Sequence, residues 1–398
     1  MSVRRVVFVT HNVPRHPGDA AGAFLLDLAR ALGDAGVAVH VVAPHAPGLP
    51  ARHAIDGIDV VRVRYAPDAR ETLAYTGTMA EQVTRSPRAA LDLVSLMRAT
   101  AAATRALVRE VGAPLVHAHW WFPSALAVGG TARALDVPLV STSHGSDVRL
   151  ARGGIARRLA RHALRDASAV TTVSRWLGDA LQRVAPVPVS IAPMPADTAR
   201  FRPDAGAPRD PRRVLFVGRL NAQKDPATLV EAMATLPPDV TLELVGDGAL
   251  REGLAARARA LGVGDRVTFA GQVGRDALAD RMRRAAVVAV PSRGEGFGLV
   301  AAEALLCGTP VVARDDAGLR DIVRDGETGV AVRDDAPAAW GHAIGALLAE
   351  PARGAALAGA GREAMLALVA PDAVARRHLA IYDEAVARHA RRRGTPRG

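Results

Sequence analysis

The fold is indicated most clearly by one stretch of the chain, Val287-Val-Ala-Val-Pro-Ser-Arg-Gly-Glu-Gly-Phe-Gly-Leu-Val-Ala-Ala-Glu-Ala-Leu-Leu-Cys-Gly-Thr-Pro-Val-Val-Ala313. A short apolar strand at Val287–Val290 is followed by a glycine-rich loop and by a predicted helix at Leu299–Cys307. A second apolar strand is predicted at Pro310–Ala313. Two short apolar strands joined through a helix are typical of a βαβ unit in a buried parallel sheet.

The same alternation of strands and helices runs along the rest of the chain. In the first half, strands are predicted at Val6–Thr10, Val37–Ala43, Ile58–Arg64, Leu115–Ala118, Pro138–Ser143 and Ala169–Val173. In the second half, they are predicted at Val214–Val217, Thr241–Val245 and Val267–Ala270. The pattern predicts an α/β protein with two doubly wound, Rossmann-like parallel sheets that face each other across a cleft.

A proline-rich segment separates the two halves. Residues Ala185 to Asp210 contain six prolines and little periodicity, which is typical of a linker. We therefore predict a first domain of residues 1–193 and a second domain of residues 194–371. One last helix is predicted from Asp372.

Rare residue types exclude several classes of protein. Cys307 is the only cysteine, which excludes an intramolecular disulfide and a cysteine-rich zinc site. Lys224 is the only lysine, and it follows Gln223, which excludes the Gly-Lys-Ser/Thr loop of P-loop NTPases. Because no apolar run reaches about 18 residues, the sequence predicts a soluble, cytoplasmic protein.

The formal net charge of +11 is concentrated in the first half of the chain. The densest group of arginines is Arg149, Arg152, Arg157, Arg158, Arg161 and Arg165. This stripe is typical either of the solvated face of a helix or of a surface for an anionic membrane or substrate. No zinc-finger, basic-zipper or RNA-recognition motif accompanies it, so nucleic acid is not predicted as a partner.

The glycine-rich loop of the opening stretch is a candidate phosphate site. Every second residue from Gly294 to Gly298 is glycine, which allows a ligand to approach the backbone closely. The helix predicted from Leu299 directs free N–H groups and the positive end of its dipole at this point. Glu295 precedes the helix and Glu303 lies about one turn inside it, so the two carboxylates can reach opposite ends of a ligand. The alternative is a turn with an incidental surface glutamate.

A second candidate site follows the first strand of the second domain, in Val217-Gly-Arg-Leu-Asn-Ala-Gln-Lys-Asp-Pro226. Arg219 and Lys224 are suited to a diphosphate, since Arg binds two oxygens at once and Lys acts as a point charge. Asp225 is predicted to be the N-cap of the next helix and Pro226 its first residue. The alternative is a pair of solvated surface cations.

Histidines follow two strands of the first domain. In Ser141-Thr-Ser-His-Gly-Ser-Asp147, His144 comes directly after a strand and is predicted to point into the cleft, although a structural histidine is the alternative. Asp147 is either part of this site or the cap of the following helix. His117 and His119 alternate at the end of the preceding strand. Lining the cleft is one interpretation of these two residues, and a metal site is not expected there.

Two further loops carry weaker signals. The loop after the first strand contains His11, Asn12, Gly18, Asp19 and Gly22, and it is a candidate for contact with a phosphate or an acceptor. It lacks the spacing Gly-x-Gly-x-x-Gly, and Gly246-Asp-Gly248 is followed only by Gly253, so no NAD site is predicted. The chain contains no Asp-x-Asp, which argues against a metal–diphosphate site of that type.

Four motifs resemble, in order and spacing, those of the retaining glycosyltransferases of family 4 (glycosyl transferases group 1). They are His144-Gly-Ser-Asp147, Val217-Gly-Arg-Leu220 with Gln223-Lys224, Val245-Gly-Asp-Gly248 and Glu295-Gly-Phe-Gly-Leu-Val-Ala-Ala-Glu303. The resemblance extends over nearly the whole chain and is most specific from Val214 to Gly329.

The resemblance implies a GT-B fold, in which the helix of residues 372–398 completes the first domain. It also implies a nucleotide diphosphate sugar, with UDP or GDP as the nucleotide, held mainly by the second domain, without a metal or other cofactor. The catalytic residues it implies are His144, Arg219, Lys224 and Glu295. The donor-binding residues it implies are Gly22, Gly218, Gly246, Gly296, Phe297, Gly298, Leu299 and Glu303.

Each implied role belongs to one part of the donor. Arg219 and Lys224 would neutralise the departing diphosphate, and the amides of Gly296–Leu299 would bind phosphate. Glu303 would bind the ribose, while Glu295 and His144 would contact the donor sugar from the two domains.

The chain departs from the family pattern at three points. Met194-Pro-Ala-Asp197 stands where Asn-Gly-Val-Asp is usual, and Ala317-Gly318 and Asp321 stand where Gly-Gly and Glu are usual. These differences affect local loops rather than the class.

The sequence therefore predicts a retaining, hexosyl-type transferase acting on an acceptor hydroxyl in cell-envelope, polysaccharide, glycolipid or secondary-metabolite biosynthesis. A nucleotide-sugar epimerase or hydrolase on the same fold is the alternative, followed by a binding module without activity. The acceptor is not identified by the motifs. One hypothesis is that the arginine stripe docks on anionic membrane and that the acceptor is lipid-linked.

Overall fold

A computed structural model describes residues 3–16, 19, 21–151 and 153–394. The chain forms two compact units. The first contains Met1–Pro195 and Pro371–Gly398, and the second contains Ala196–Ala370. The C-terminal helix therefore belongs to the first unit although it follows the second in sequence.

The first unit is built on an eight-stranded sheet in the order β3-β4-β2-β1-β5-β6-β7-β8. Its strands are β1 (Arg5–Val9), β2 (Ala38–Pro44), β3 (Arg52–Ile55), β4 (Ile58–Val63), β5 (Val116–His119), β6 (Leu139–Ser143), β7 (Ala169–Thr172) and β8 (Val189–Ile191). All neighbouring strands are parallel except β3, which pairs antiparallel with β4. The central strand β1 is almost entirely apolar and buried, as expected of a strand covered by helices on both faces.

The helices of the first unit connect these strands and cover the sheet. They are α1 (Ala23–Asp34), α2 (Met79–Arg85), α3 (Pro87–Val111), α4 (Leu126–Leu135), α5 (Ser146–Leu150), α6 (Gly154–Arg165), α7 (Arg175–Val184) and α14 (Pro371–Gly394). The helix α14 packs against α1 and places Tyr382 in the core, where its hydroxyl lies 2.8 Å from Nδ1 of His117.

The second unit has a six-stranded, fully parallel sheet in the order β11-β10-β9-β12-β13-β14. Its strands are β9 (Arg213–Val217), β10 (Thr241–Val245), β11 (Val267–Gly271), β12 (Val287–Val290), β13 (Val311–Arg314) and β14 (Val330–Val332). Its helices are α8 (Pro226–Ala232), α9 (Arg251–Ala260), α10 (Arg275–Arg284), α11 (Leu299–Leu306), α12 (Pro337–Ala349) and α13 (Pro351–Val369). The opening stretch of the sequence thus forms β12, α11 and β13.

The predicted fold class is confirmed, and every predicted strand is present with its ends displaced by a few residues. Three of the described strands were not predicted: the edge strand β3, the short strand β8 inside the proline-rich segment, and β14. All three lie at sheet edges, where partial exposure weakens the apolar pattern. Among the described residues, no helix combines enough length with enough apolar character to cross a bilayer.

Candidate active site

The loop after β9 carries Arg219 and Lys224 at the carboxyl edge of the second sheet. The amide of Gly218 donates to the carbonyl of Val245 at 2.9 Å, which joins this loop to the end of β10. A Cβ at Gly246 would lie 2.0 Å from the carbonyl oxygen of Gly218, and Gly246 has a φ of 127°. Both features require glycine at 246, so this predicted donor residue has a packing role in bringing the two loops together.

Lys224 is held in place by its neighbours. Its amide donates to Oδ1 of Asn221 at 3.0 Å, and its ammonium group contacts the carboxylate of Glu295. The side chains of Lys224 and Glu295 are 20% and 16% exposed, so the pair is shielded but reachable from solvent. Arg219 is exposed and has no ion-pair partner among the described residues. The loop therefore offers one partly neutralised and one free cation.

The glycine-rich loop between β12 and α11 is stabilised through its main chain. The amide of Gly294 donates to Oδ2 of Asp316 at 2.7 Å, and the amide of Gly318 donates to the carbonyl of Glu295 at 2.9 Å. A Cβ at Gly318 would lie 2.3 Å from the carbonyl oxygen of Gly296. The two loops therefore touch through bare backbone. Gly318 lies at one of the points where the chain departs from the family pattern, and neither it nor Asp316 was predicted to be a site residue.

The helix α11 begins directly after this loop. Gly298 is its N-cap residue with a φ of 105°, Phe297 is buried, and Leu299 is the first helical residue. The first amides of a helix have no internal partners, so this end of α11 can accept an anion.

Glu303 lies on α11 with its side chain 13% exposed. One of its oxygens is 3.9 Å from Nη2 of Arg275, whose guanidinium also lies 5.6 Å from the ring of Phe201. Thus Glu295 and Glu303 each have a cationic neighbour. They lie eight residues apart on the same βα connection, as the sequence indicates.

Arg314, at the end of β13, was missed by sequence reasoning. Its side chain is 5% exposed, and its Nε donates to the carbonyl of Pro291 at 2.9 Å. One Nη group donates to Oδ2 of Asp225 at 3.0 Å, the other contacts the carboxylate of Asp335, and the guanidinium lies 5.6 Å from the ring of Trp340. Burial lowers the pKa of Arg314, with Arg293 as the second cause.

Arg293 completes this group by donating to Asp225 at 3.1 Å and to Asp335 at 2.8 Å. Each of the two arginines therefore contacts both aspartates. Asp225 directly follows Lys224, and Arg293 lies two residues before Glu295. We call Asp225, Arg293, Arg314 and Asp335 the Arg–Asp quartet. It connects the loops that carry the candidate donor residues.

The quartet corrects one prediction. Asp225 occupies the N-cap position of α8 and Pro226 follows it in the first turn, but the Asp225 side chain makes no capping hydrogen bond. Its carboxylate faces the two guanidinium groups instead. A charge-assisted bond to arginine outweighs a neutral cap, which explains the difference.

In the first unit, His144 follows β6 and is half-buried. Its Nε2 lies 3.2 Å from Nδ1 of His119, and its ring packs 4.4 Å from the ring of Trp120 and 5.1 Å from that of Phe24. Burial lowers the pKa of His144 to about 3. The imidazole is therefore neutral at pH 7 and can donate or accept one hydrogen bond without carrying charge.

Asp147 shapes the backbone around His144. Its carboxylate accepts from the amides of His144 at 3.2 Å, Gly145 at 3.1 Å and Trp121 at 3.0 Å. The N-cap residue of α5 is Gly145, so Asp147 lies inside the first turn and is not its cap. It fixes the loop that presents the histidine.

The interpretation that His117 and His119 line the cleft does not hold, because both side chains are fully buried. Nε2 of His117 lies 2.7 Å from the hydroxyl oxygen of Thr142. Burial lowers the pKa of both imidazoles well below the usual value. His117 is therefore a core residue, whereas His119 supports His144.

Gly22 is the N-cap residue of α1, with a φ of 69°. A Cβ there would lie 2.2 Å from the carbonyl oxygen of Asn12, so this turn also requires glycine. His11 packs 4.5 Å from the Trp120 ring and therefore belongs to the same aromatic group as His144. Gly18 lies outside the described residues.

One group of side chains has the donor atoms of a metal site: His45, Asp68 and Glu71, in the first unit. Nδ1 of His45 lies 2.5 Å from Glu71, and its Nε2 lies 2.7 Å from the carbonyl of Leu49. Asp68 pairs with Arg64. Both imidazole nitrogens are thus engaged within the protein, and the group stabilises the loop after β2.

Comparison with known proteins agrees with these motifs. A family model described as Glycosyltransferase Family 4 matches residues 21–200, and one described as Glycosyl transferases group 1 matches residues 197–364. A D-inositol 3-phosphate glycosyltransferase from Xylanimonas cellulosilytica is 41% identical over 281 residues, which are 63% of this chain and 67% of the relative. The chain belongs to glycosyltransferase family 4.

Two other similarities extend over almost the entire glycosyltransferase. A protein also named D-inositol 3-phosphate glycosyltransferase, from Salinispora tropica, is 33% identical, and the match covers 97% of this chain and 86% of that protein. The structure of sucrose-phosphate synthase from Thermosynechococcus elongatus matches with a TM-score of 0.78 at 27% identity. That match covers 96% of this chain and 99% of the other. The two Rossmann-like units are those of the GT-B fold.

Proposed function

We propose that this glycosyltransferase moves a sugar from a nucleoside diphosphate sugar to an acceptor hydroxyl, with retention of configuration and without a metal ion. The observation that carries the proposal is the grouping at one edge of the second sheet. Arg219, Lys224 and the free amides at the start of α11 are all suited to a diphosphate. Glu295 and Glu303 are suited to the hydroxyls on either side of it.

The proposed chemistry assigns a task to each group. The bond between the anomeric carbon and the diphosphate oxygen breaks, and negative charge grows on the leaving diphosphate beside Arg219 and Lys224. Preorganised donors at such a point lower the barrier by several kcal/mol. Glu295 and the neutral His144 orient the donor sugar, and Glu303 binds the ribose.

Retention follows in this proposal from attack on the face that the diphosphate leaves. The acceptor oxygen bonds to the anomeric carbon while its proton passes to the departing phosphate oxygen, so no base from the protein is needed. The pairing of Glu295 with Lys224 supports this route over a covalent intermediate, because an ion-paired carboxylate is a weak nucleophile.

We infer that the acceptor carries a phosphate, and that D-inositol 3-phosphate is the first compound to test, because the relatives are named for it. A cavity of about 650 Å³ follows the carboxyl end of β4 in the first unit, and it includes Arg70, Arg85 and Arg88 in its lining. Arg70 pairs with Asp92 and Arg85 with Glu81. Arg88 is exposed and has no ion-pair partner in the described part of the chain.

A product assay tests the function and the acceptor together. Donor sugars are incubated with D-inositol 3-phosphate and EDTA, and the product is analysed by mass spectrometry and by the anomeric proton signal. A glycosylated product with the donor's anomeric configuration is expected, and Arg88→Ala raises the acceptor KM about tenfold while the donor KM stays unchanged. Free sugar or an epimerised donor as the only product would instead identify a hydrolase or an epimerase.

A lipid-linked acceptor is the second candidate, and α6 favours it. Ile155 and Leu159 on this helix are 77% and 38% exposed, next to Arg158. The arginine stripe itself is divided, since Arg157 and Arg161 donate to the last carbonyls of α7, and Arg152 lies outside the described residues. If vesicles with anionic lipid bind the enzyme no better than neutral ones at low salt, the membrane hypothesis fails.

A further inference from the structure

A large groove lies in the first unit at the amino edge of the sheet. Leu139, the first residue of β6, and Ser168, just before β7, both line it, and its volume is about 950 Å³. His144 follows the opposite end of β6. The groove is therefore separate from the candidate active site, and the helices α4, α6 and α14 form its walls.

Cationic side chains dominate the lining. They are Arg133, His162, Arg165, His389, Arg392 and Arg393. The acidic residues of the lining are Asp136 and Asp166. Four arginines against two aspartates leave a formal net charge of about +2.

The two aspartates hold the cations in place without neutralising them. Asp166 accepts from Arg133 at 3.0 Å and lies 3.3 Å from Arg165. Asp136 in the same way contacts His389 and Arg393. Each carboxylate is thus shared between two basic side chains, which leaves other N–H donors of each guanidinium for a ligand.

Arg392 differs from the other arginines of the groove. Its Nη1 lies 3.4 Å from the carbonyls of Asp166 and Ala167, and it has no carboxylate partner among the described residues. Bonds of this length are weak. Arg392 is therefore the groove cation with most of its bonding capacity unused.

Two glycines on α4 give the groove its open side. A Cβ added at Gly129 or at Gly130 would have no heavy atom within 4 Å, so protein packing does not require glycine at either position. Each glycine costs a helix interior about 1 kcal/mol relative to alanine. Two consecutive glycines that packing does not require leave room for a ligand against the bare helix.

We propose that this groove is a binding site for a phosphate-bearing anion. One guanidinium group can bind two phosphate oxygens at once. Several arginines line this groove, and its volume is in the range that small ligands occupy. The phosphate belongs either to a soluble metabolite or to the headgroup of an anionic lipid. The site goes beyond the donor and acceptor sites proposed above and does not depend on them.

The test uses inorganic phosphate and vesicles on the full chain carrying Lys224→Ala, so that phosphate at the donor loop contributes little. Calorimetry at low ionic strength measures phosphate binding, and flotation compares vesicles of equimolar phosphatidylcholine and phosphatidylglycerol with vesicles of phosphatidylcholine. The groove variants are Gly130→Leu, which fills the open side, and Arg392→Ala. Their matched controls are Gly359→Leu and Arg353→Ala, at exposed positions on α13.

The proposal predicts that each groove variant weakens binding about tenfold or more, whereas the controls leave it unchanged. If the groove variants bind inorganic phosphate more weakly, the ligand is a soluble phosphate compound. If they lose only vesicle binding, the ligand is a lipid headgroup. The variants lie at exposed positions, and thermal unfolding verifies that they fold. Binding that is absent in both assays, or equal in groove and control variants, overturns the proposal.

Discussion

The ammonium group of Lys224 lies against the carboxylate of Glu295, across the edge of the second sheet. The two residues are 71 positions apart in sequence and belong to different loops. The only lysine of the chain thus has its charge balanced by the carboxylate proposed to contact the donor sugar. A diphosphate that binds Lys224 must compete with Glu295.

Glu295→Gln removes this competitor and is expected to separate binding from catalysis. Affinity for the nucleoside diphosphate alone rises about three- to tenfold, since about 1 kcal/mol of ion pairing no longer opposes it. Turnover of the diphosphate sugar falls about 100-fold, because the sugar loses an orienting contact. Calorimetry and initial rates on the same preparation measure both. Equal or weaker diphosphate binding in the variant would show that the pair does not compete with the ligand.

The Arg–Asp quartet is expected to contribute to stability mainly through Arg314. Arg314→Met leaves the carbonyl of Pro291 and part of the Asp225 carboxylate without their partner, and the free energy of unfolding falls by about 3 kcal/mol. Asp335→Asn, at a side chain that is 60% exposed, costs about 1 kcal/mol or less. Urea unfolding of both variants measures the difference. Similar losses would mean that the quartet acts as a surface ion pair.

The quartet is also expected to position Lys224. Arg314→Met then weakens diphosphate binding in the otherwise unchanged enzyme but causes no further loss in Lys224→Ala, because both changes remove the same interaction. A double-mutant cycle by calorimetry measures this coupling. If Lys224→Ala alone has no effect, the donor site itself is misplaced. If the two losses simply add, Arg314 has only a general structural role.

Ala317 and Gly318 are adjacent, but substitution should be tolerated at Ala317 and disruptive at Gly318. Ala317 has a φ of 50°, so Ala317→Gly relieves backbone strain of about 1–2 kcal/mol, which offsets the lost methyl burial and the added chain entropy. The free energy of unfolding of the Ala317→Gly variant should differ from that of the unchanged protein by less than about 0.5 kcal/mol. Gly318→Ala instead places a methyl group 2.3 Å from the carbonyl of Gly296 and displaces the glycine-rich loop.

Unfolding and diphosphate affinity of both variants test this prediction. Gly318→Ala is expected to lose about tenfold or more in affinity, since the loop amides move away from the phosphate. Ala356→Gly, at an exposed position on α13, is the control, with a cost of about 1 kcal/mol. A tolerated Gly318→Ala would show that the two loops are not held in contact.

Histidines with lowered pKa values predict how stability depends on pH. Burial lowers the pKa of His11 and His378 to about 4 and that of His144 to about 3. The unfolded chain, with an ordinary pKa near 6.5, therefore binds protons that the folded chain excludes as the pH falls below about 6.5. Stability is full above this pH and decreases from there down to about pH 4, by on the order of 1–2 kcal/mol per histidine at pH 5.

Urea unfolding at pH 7 and pH 5 measures this loss. In His378→Gln, the loss of unfolding free energy between pH 7 and pH 5 should be smaller by about the contribution of one histidine. Burial raises the pKa of Asp147, which acts in the opposite sense. It is one group against the three histidines named above and against His117 and His119, whose pKa burial also lowers. Stability that is constant between pH 7 and pH 5 would contradict the burial of these side chains.

Much of the fold could be predicted because its strands are continuous apolar runs. The residues of Val287–Val290 and of 214–216 are all buried, and such runs are hard to mistake. The candidate donor residues could be predicted because Arg219, Lys224, Glu295 and Glu303 lie at fixed spacing from strand ends. The structure brings Lys224 and Glu295 together, which spacing alone does not show.

The remaining features depend on contacts that are distant in sequence. Nothing local marks Arg314 as a partner of Asp225, 89 positions earlier, and Asp225 was predicted to be an ordinary helix cap. His117 looked like a residue of the cleft because its strand position alone does not show that Tyr382, 265 positions later, covers it. The one sequence signal that could have indicated the quartet is Arg314 itself, an arginine directly after the apolar run Val311-Val-Ala313.

Binding of a nucleoside diphosphate at Arg219 and Lys224 is tested most directly by calorimetric titration with UDP, GDP, ADP and NAD in EDTA. We predict that one diphosphate binds, that Arg219→Ala weakens it about 10- to 100-fold and lowers the rate about 10²–10³-fold, and that Arg353→Ala has no effect. Failure of every diphosphate to bind, or binding that is indifferent to Arg219, would contradict the proposed donor site.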